Sequence, residues 1–207
     1  MAGIADKILR RVRSKGRGKW VCTPKDFLDL GSRASVDKAL SRLAKNGDLR
    51  RIGRGLYDLP RFNDLLKRPV PAGVDAAVDA IVRRDGIRIM SNGMACANRL
   101  GLTNAVSVKI AYITDGATRK ISINRRTIYL YHVGPRIMYW FGKKSAPVAI
   151  ALLWLGAYAS RDARVIPTLR QTLPDDVKKD LAQNSAHLPG WASSIVHDVV
   201  DARVEAA

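Results

Sequence analysis

The feature that most constrains this chain is the stretch Ser32–Pro60, in which a helical apolar stripe passes almost without a spacer into a glycine-centred hairpin. Val36, Ala39, Leu40 and Leu43 recur at helical spacing, and Asn46-Gly47 closes the pattern. Directly after it come Leu49 to Ile52 and Leu56 to Leu59, two short strand-like runs. Between them Gly53-Arg54-Gly55 reads as a tight turn, because glycine tolerates the positive φ that such turns demand.

The residues upstream supply two more helices. Ile4, Ile8, Leu9 and Val12 mark an amphipathic helix over Ala2 to Ser14, with Lys7, Arg10, Arg11 and Arg13 giving it a basic polar face. Lys15-Gly-Arg-Gly-Lys19 breaks that helix, and Trp20-Val21-Cys22 is a short extended segment. Thr23-Pro24-Lys25-Asp26 is a helix start: Thr23 caps, Pro24 suits the first helical position, and Asp26 serves as a short capping-box acid. A brief helix through Phe27, Leu28 and Leu30 is expected to end at a left-handed Gly31, and Ser32 or Ser35 caps the next.

Two short helices joined at a glycine and followed by a basic hairpin are the pattern of a winged helix-turn-helix, expected here over residues 1–62. Ser35 to Lys45 is then the recognition helix, carrying Arg33, Ser35, Lys38, Ser41, Arg42 and Lys45 away from its apolar stripe. Arg33 and Ser35 lie where side chains reach base edges, whereas Lys38, Arg42 and Lys45 are better placed for phosphate. Asp37 is read as structural. Arg50, Arg51 and Arg54 fall at or near the tip of the hairpin, and the planar guanidinium can grip phosphate twice or enter a narrow minor groove.

Charge agrees with a polyanionic partner. The 207 residues hold 36 Lys and Arg against 18 Asp and Glu, a net charge of +18. Residues 1–70 account for +11 of it and residues 71–207 for +7. A composition 47% hydrophobic and 26% charged belongs to folded domains and not to disordered chains.

Pro60, Pro69 and Pro71 make 63–73 a turn-rich linker, and a second domain is expected over 74–207. Val74 to Val82 reads as a helix ending at Asp85-Gly86, Ile87 to Met90 as a strand, and Ala95 to Leu100 as a helix started by Ser91-Asn92-Gly93. Val106 to Thr114, Arg119 to Ile123 and Thr127 to Val133 are expected to form a small antiparallel meander. Helices follow over Pro147 to Tyr158, which should be buried, Pro174 to Ser185, and Trp191 to Ala202. The fold class is therefore α+β: an N-terminal winged helix, then a mixed domain with a small antiparallel sheet and helices.

Arg119, Lys120, Arg125, Arg126, Arg136, Lys143 and Lys144 crowd the meander and its exit. They can extend a DNA track, meet an acidic partner, or only solvate a sheet face. Tyr112, Tyr129, Tyr131, Tyr139 and Trp140 lie among them; core packing is the reading taken for these rings, with base stacking the alternative.

Nothing points to catalysis or to a bound cofactor. Cys22 and Cys96 are far apart, His132, His187 and His197 are scattered, and no metal-ligand spacing occurs, so no metal is expected. No acid pair, nucleophile set or phosphate-cradling loop appears at useful spacing. Two cysteines with no disulfide pattern suit the cytoplasm. No signal-peptide core is present, and Ala146 to Ala159 is too short to span a bilayer, so no membrane partner is expected.

From Trp20 to Pro60, above all in RLAKNGDLRRIGRGLYD, the sequence resembles the AbiEi antitoxins of bacterial type IV toxin-antitoxin systems. The likeness continues more weakly through Gly101-Leu102, Ala111–Gly116, Ile128–His132 and Gly134-Pro-Arg136. It implies a transcriptional autorepressor that binds inverted repeats of double-stranded DNA in its own promoter, with a nucleotidyltransferase-like toxin as cognate partner. The C-terminal domain would supply the antitoxin activity. A protein-interaction module directed at a toxin, and an RNA-binding module, are the alternative functions.

Overall fold

The computed structural model describes residues 3–65 and 67–201. They fall into two compact units: the chain up to Ile87 together with Lys120–Thr127, and Arg88–Arg119 together with Ile128 onward.

In the first unit, α1 (Ile4–Ser14) begins at Gly3, whose amide donates to the Asp6 carboxylate at 3.0 Å. The expected start at Ala2 lies outside the described residues. β1 (Val21–Cys22) leads into a single 3-10 turn, Pro24–Phe27, and then α2 (Arg33–Lys45). Here the expectation of a brief α-helix is corrected. The Asp26 carbonyl that would accept the Leu30 amide is taken by the Arg11 guanidinium at 2.8 Å, and Leu30 bonds instead to the Phe27 carbonyl at 2.9 Å. That one-residue shortening is the 3-10 pattern.

Gly31 is not left-handed, contrary to expectation. A Cβ there would stand 2.8 Å from Ile4 Cδ1, the movable end of that side chain, so α1 approaches closely at this turn. Ser32 is the cap of α2: its hydroxyl accepts from the Ser35 amide at 3.3 Å, which places Arg33, Ala34 and Ser35 in the first helical turn.

β2 (Arg50–Gly53) and β3 (Leu56–Asp58) form the hairpin, with Arg54-Gly55 as its two-residue turn and Gly55 at φ +66°. β3 is central in an antiparallel sheet ordered β1-β3-β2, pairing Val21 with Asp58 and Arg51 with Tyr57. Ile8 and Val12 of α1, Phe27, Val36, Leu40 and Leu43 of α2, and Leu49 and Leu59 close the core between helices and sheet. Burying side chains of this size is worth roughly 1.5–3 kcal/mol each.

A further hairpin, β4 (Phe62–Asn63) with β5 (Arg68–Pro69), precedes α3 (Val74–Asp85), which ends at a left-handed Gly86. This helix belongs to the first unit although it follows the proline-rich segment. Arg83 Nη2 donates to the Val21 carbonyl at 2.8 Å, its Nε reaches the Asp26 carboxylate at 3.2 Å, and its guanidinium lies over Trp20.

The second sheet contains β6 (Ile89–Ser91), β7 (Ile110–Thr114), β8 (Arg119–Ile123) and β9 (Arg126–His132) in the order β6-β7-β9-β8. The expected meander is therefore corrected in its connectivity: β7 runs parallel to β9, from Ile110 opposite Ile128 to Thr114 opposite His132, while β6 and β7 are antiparallel. The loop after β7 makes this possible by binding the end of β9. The Thr118 hydroxyl accepts the His132 amide at 2.8 Å, and the Val133 amide donates to the Thr114 carbonyl at 2.8 Å.

The helices of the second unit are α4 (Gly93–Arg99), α5 (Pro135–Met138), α6 (Ala146–Leu155), α7 (Val165–Thr172), α8 (Asp175–Gln183) and α9 (Gly190–Val200). Ala202, the expected end of the last, lies outside the described residues. α6 is buried as expected, with Val148, Ala149, Ala151 and Leu152 inaccessible and Trp140 beside them. α4 meets α6 so closely that a Cβ on Gly93 would stand 2.1 Å from the Trp154 Cβ. Among the described residues no helix is long and apolar enough to cross a membrane, and no group of three His, Cys, Asp or Glu is placed to hold a metal ion.

Candidate nucleic-acid interface

The site is built outward from the stripe of α2. Val36, Ala39, Leu40 and Leu43 are buried, which turns Lys38, Ser41, Arg42 and Lys45 to solvent on the remaining arc. Among the described residues none of these four side chains has a hydrogen-bond or ion-pair partner in the protein. Their donors are thus available to a ligand. Arg33 is exposed too, but its Nε donates to the Asp37 carboxylate at 2.9 Å. An exposed i,i+4 pair of this kind is worth only about 0.3–0.5 kcal/mol, so a stronger anion can take the guanidinium. Ser35 faces Ser32, hydroxyl to hydroxyl at 3.0 Å.

The hairpin divides its three arginines. Arg51 and Arg54 are exposed. Arg50, expected to bind DNA, is instead committed within the protein: its Nε donates to the Asp58 carboxylate at 2.9 Å, its Nη2 to the other carboxylate oxygen, and its Nη1 to the Val70 carbonyl at 3.0 Å. Asp58 is 1% exposed, so this pair is a buried tie inside the sheet. The sequence did hold a signal for it. Side chains alternate along a strand, and Arg50 shares a face with buried Ile52 while Arg51 points the other way.

Tyr57 of β3 is buried in the same core as the apolar stripe of α2. Burial pushes its hydroxyl above the ordinary 10.0, Arg51 pulls it down and Asp37 pushes it up. Arg51 on β2 and Asp37 on α2 thus both act electrostatically on this hydroxyl.

Two features escape a reading by motif. Arg84 on α3 donates from Nη1 to the Arg54 carbonyl at 2.9 Å, so a helix beyond the expected domain boundary holds the hairpin tip. The Asn124 amide donates to the Ile52 carbonyl at 2.8 Å, and a Cβ on Gly53 would stand 2.7 Å from the Ser122 carbonyl oxygen. The tip of the β8–β9 hairpin thus lies against β2. With it, the first unit holds 23 Lys and Arg against ten Asp and Glu, or +13 of the total +18.

The expected second basic cluster does not act as one group. Lys120, Arg125 and Arg126 belong to the first unit, and all three are exposed. In the second unit Lys144 is ion-paired with Asp176 at 2.8 Å, Lys143 lies over the Tyr139 ring at 4.4 Å, Arg136 is exposed and Arg119 is half-buried. The aromatic residues split likewise. Trp140 is buried, Tyr139 donates to Asn184 at 2.6 Å and stacks on His187, Tyr112 and Tyr129 are half-buried, and Tyr131 is exposed beside Tyr129. Both thiols are buried, and desolvation drives the Cys22 thiol up to about 12, which removes it from nucleophilic chemistry.

Fold and site together describe a mixed α+β protein whose first unit carries exposed basic side chains on one helix and on a hairpin. The chain belongs to the DUF6088 family, described as a family of unknown function, whose model matches residues 7–180. No curated protein and no solved structure matches it.

Proposed function

We propose that the first unit carries a winged helix-turn-helix that binds double-stranded DNA, with α2 in the major groove and the β2–β3 hairpin as the wing. The observation that carries this reading is the row of exposed side chains Lys38, Ser41, Arg42 and Lys45 on the outer arc of α2, together with the exposed Arg51 and Arg54 of the hairpin that follows it. Arg33, Ser35 and Ser41 are assigned to base edges or flanking phosphate, Lys38, Arg42 and Lys45 to phosphate, and the two wing arginines to phosphate or minor groove. Arg50 holds the wing and touches no DNA.

The likeness to AbiEi antitoxins extends the proposal. The protein represses its own promoter at inverted repeats, acts in the cytoplasm, catalyses nothing, and serves as antitoxin to a nucleotidyltransferase-like toxin. Titration of the purified protein with its own upstream DNA and with random duplex tests the DNA reading. Lys38→Ala and Arg54→Ala should each weaken the specific complex, by roughly 1–3 kcal/mol where a base is read and with a smaller salt slope where phosphate is held. Equal affinity for the two duplexes refutes specific repression. Co-expression with the product of the adjacent gene tests the antitoxin role, since a toxin should arrest growth only when this chain is absent.

A further inference from the structure

We propose that the 120–127 hairpin is a second wing, and that the groove between its tip and the first wing holds a stretch of DNA phosphate backbone. The inference rests on the DNA-binding reading above. It starts from an arrangement that motif reasoning does not supply: a hairpin from some 70 residues further along the chain is fixed side by side with β2. The fixing is backbone to backbone. Asn124, in a left-handed turn at φ +51°, gives its amide to the Ile52 carbonyl at 2.8 Å. Gly53 lets the Ser122 carbonyl approach to a distance at which no side chain would fit.

The groove so formed is lined by Arg51, Ile52, Gly53, Arg54, Ser122 and Asn124. Its chemistry is one-sided. From Leu49 to Tyr57 and from Lys120 to Thr127 the sequence has six arginines and lysines and no acid. Arg50 is committed to Asp58, but Arg51, Arg54, Arg125 and Arg126 are exposed around the two tips, and the Ser122 side chain is exposed between them. Like charges gathered on two neighbouring tips repel one another, and a polyanion relieves that repulsion. A phosphodiester backbone fits this lining: arginine forks and a hydroxyl bind its oxygens, and a groove open along its length admits a chain of them. The second wing therefore adds affinity without reading sequence.

The test measures binding of the full chain to a 30-base-pair duplex from its own upstream region and to a random duplex, by fluorescence anisotropy over a series of KCl concentrations. Arg125→Ala with Arg126→Ala should lower the slope of log K against log salt by about 2 and weaken both duplexes alike, roughly 10- to 100-fold near 0.1 M salt. The lysine pair R125K/R126K should restore the slope, because phosphate needs the charge and not the fork. Gly53→Ala, which changes no charge, should push the tips apart and weaken both duplexes too.

An unchanged slope in R125A/R126A, with K38A/R42A still lowering affinity, overturns the second wing and leaves the winged-helix reading standing. Loss of the slope that lysine does not restore also overturns it. Wild-type protein that binds neither duplex removes both readings, and so does displacement of DNA by structured RNA at equal salt.

Discussion

Arg50→Ala separates a structural arginine from its neighbours on the same hairpin. The guanidinium makes two hydrogen bonds to Asp58 and one to the Val70 carbonyl, and among the described residues nothing else binds the Asp58 carboxylate. With Asp58 1% exposed, removal of Arg50 leaves a buried anion without a counter-charge, an error that costs about 3–5 kcal/mol. Arg50 is itself 25% exposed, so water can enter behind the truncated side chain and the lower end, about 3 kcal/mol, applies. For a chain of this size that corresponds to a fall in Tm of roughly 6–12 °C. Urea denaturation and a thermal melt followed by circular dichroism read it directly. Replacing both partners with apolar side chains, Arg50→Met with Asp58→Leu, should recover most of the loss, since the uncompensated charge goes too. Below the melting temperature R50A should keep the wild-type salt slope for DNA. An unchanged Tm together with a smaller slope would show that Arg50 points outward and that the buried tie is not what it does.

Arg84→Ala should loosen the wing tip, because its guanidinium holds the Arg54 carbonyl; DNA affinity falls several-fold while the salt slope stays, the signature of lost positioning and not of a lost phosphate contact. Gly93→Ala should cost at least about 1–3 kcal/mol by driving α4 from α6, whereas Gly31→Ala should cost less, since only the end of the Ile4 side chain has to move; the two melts compared check the difference. The Cys22 thiol has a folded pKa raised from 9.0 to about 12, so its contribution to stability is whole below pH 9 and declines as pH rises from there through about 12. Iodoacetamide at pH 8 should accordingly leave Cys22 unmodified in the native protein and modify it in urea, and labelling at equal rates in both states would contradict the burial.

The elements legible in the sequence are those whose cause is local. The stripe Val36, Ala39, Leu40, Leu43 names the buried side of α2 and hence its outer arc, and Arg54-Gly55 between two apolar runs names the hairpin. What stayed hidden depends on partners distant in sequence. The 3-10 turn at Pro24–Phe27 follows from Arg11 capturing a carbonyl 15 residues away. The turn at Gly31 is closely approached by Ile4, and the parallel pairing of β7 with β9 depends on where the loop after β7 finds donors on β9. Helix α7 has a Pro at its third position and no capping signal at its start, and only its contacts in the second core reveal it.

The hidden contacts also bear on how so short a hairpin could serve as the proposed wing. A two-residue turn flanked by strands of three or four residues has little of its own to hold it, and a flexible tip must be ordered each time DNA binds. Here Arg84 fixes the Arg54 carbonyl, Asn124 fixes the Ile52 carbonyl, and Arg50 with Asp58 locks the base of the two strands. Three anchors surround a segment of nine residues, Arg50 to Asp58, and leave its two outward arginines free of any structural duty. The ordering cost is met during folding, so under the proposed DNA-binding reading any contact of Arg51 and Arg54 with phosphate would go to affinity. A hairpin restrained in this way would need no length to serve as the proposed wing, and the bonds that tie it to α3 and to the 120–127 hairpin lie within the first compact unit.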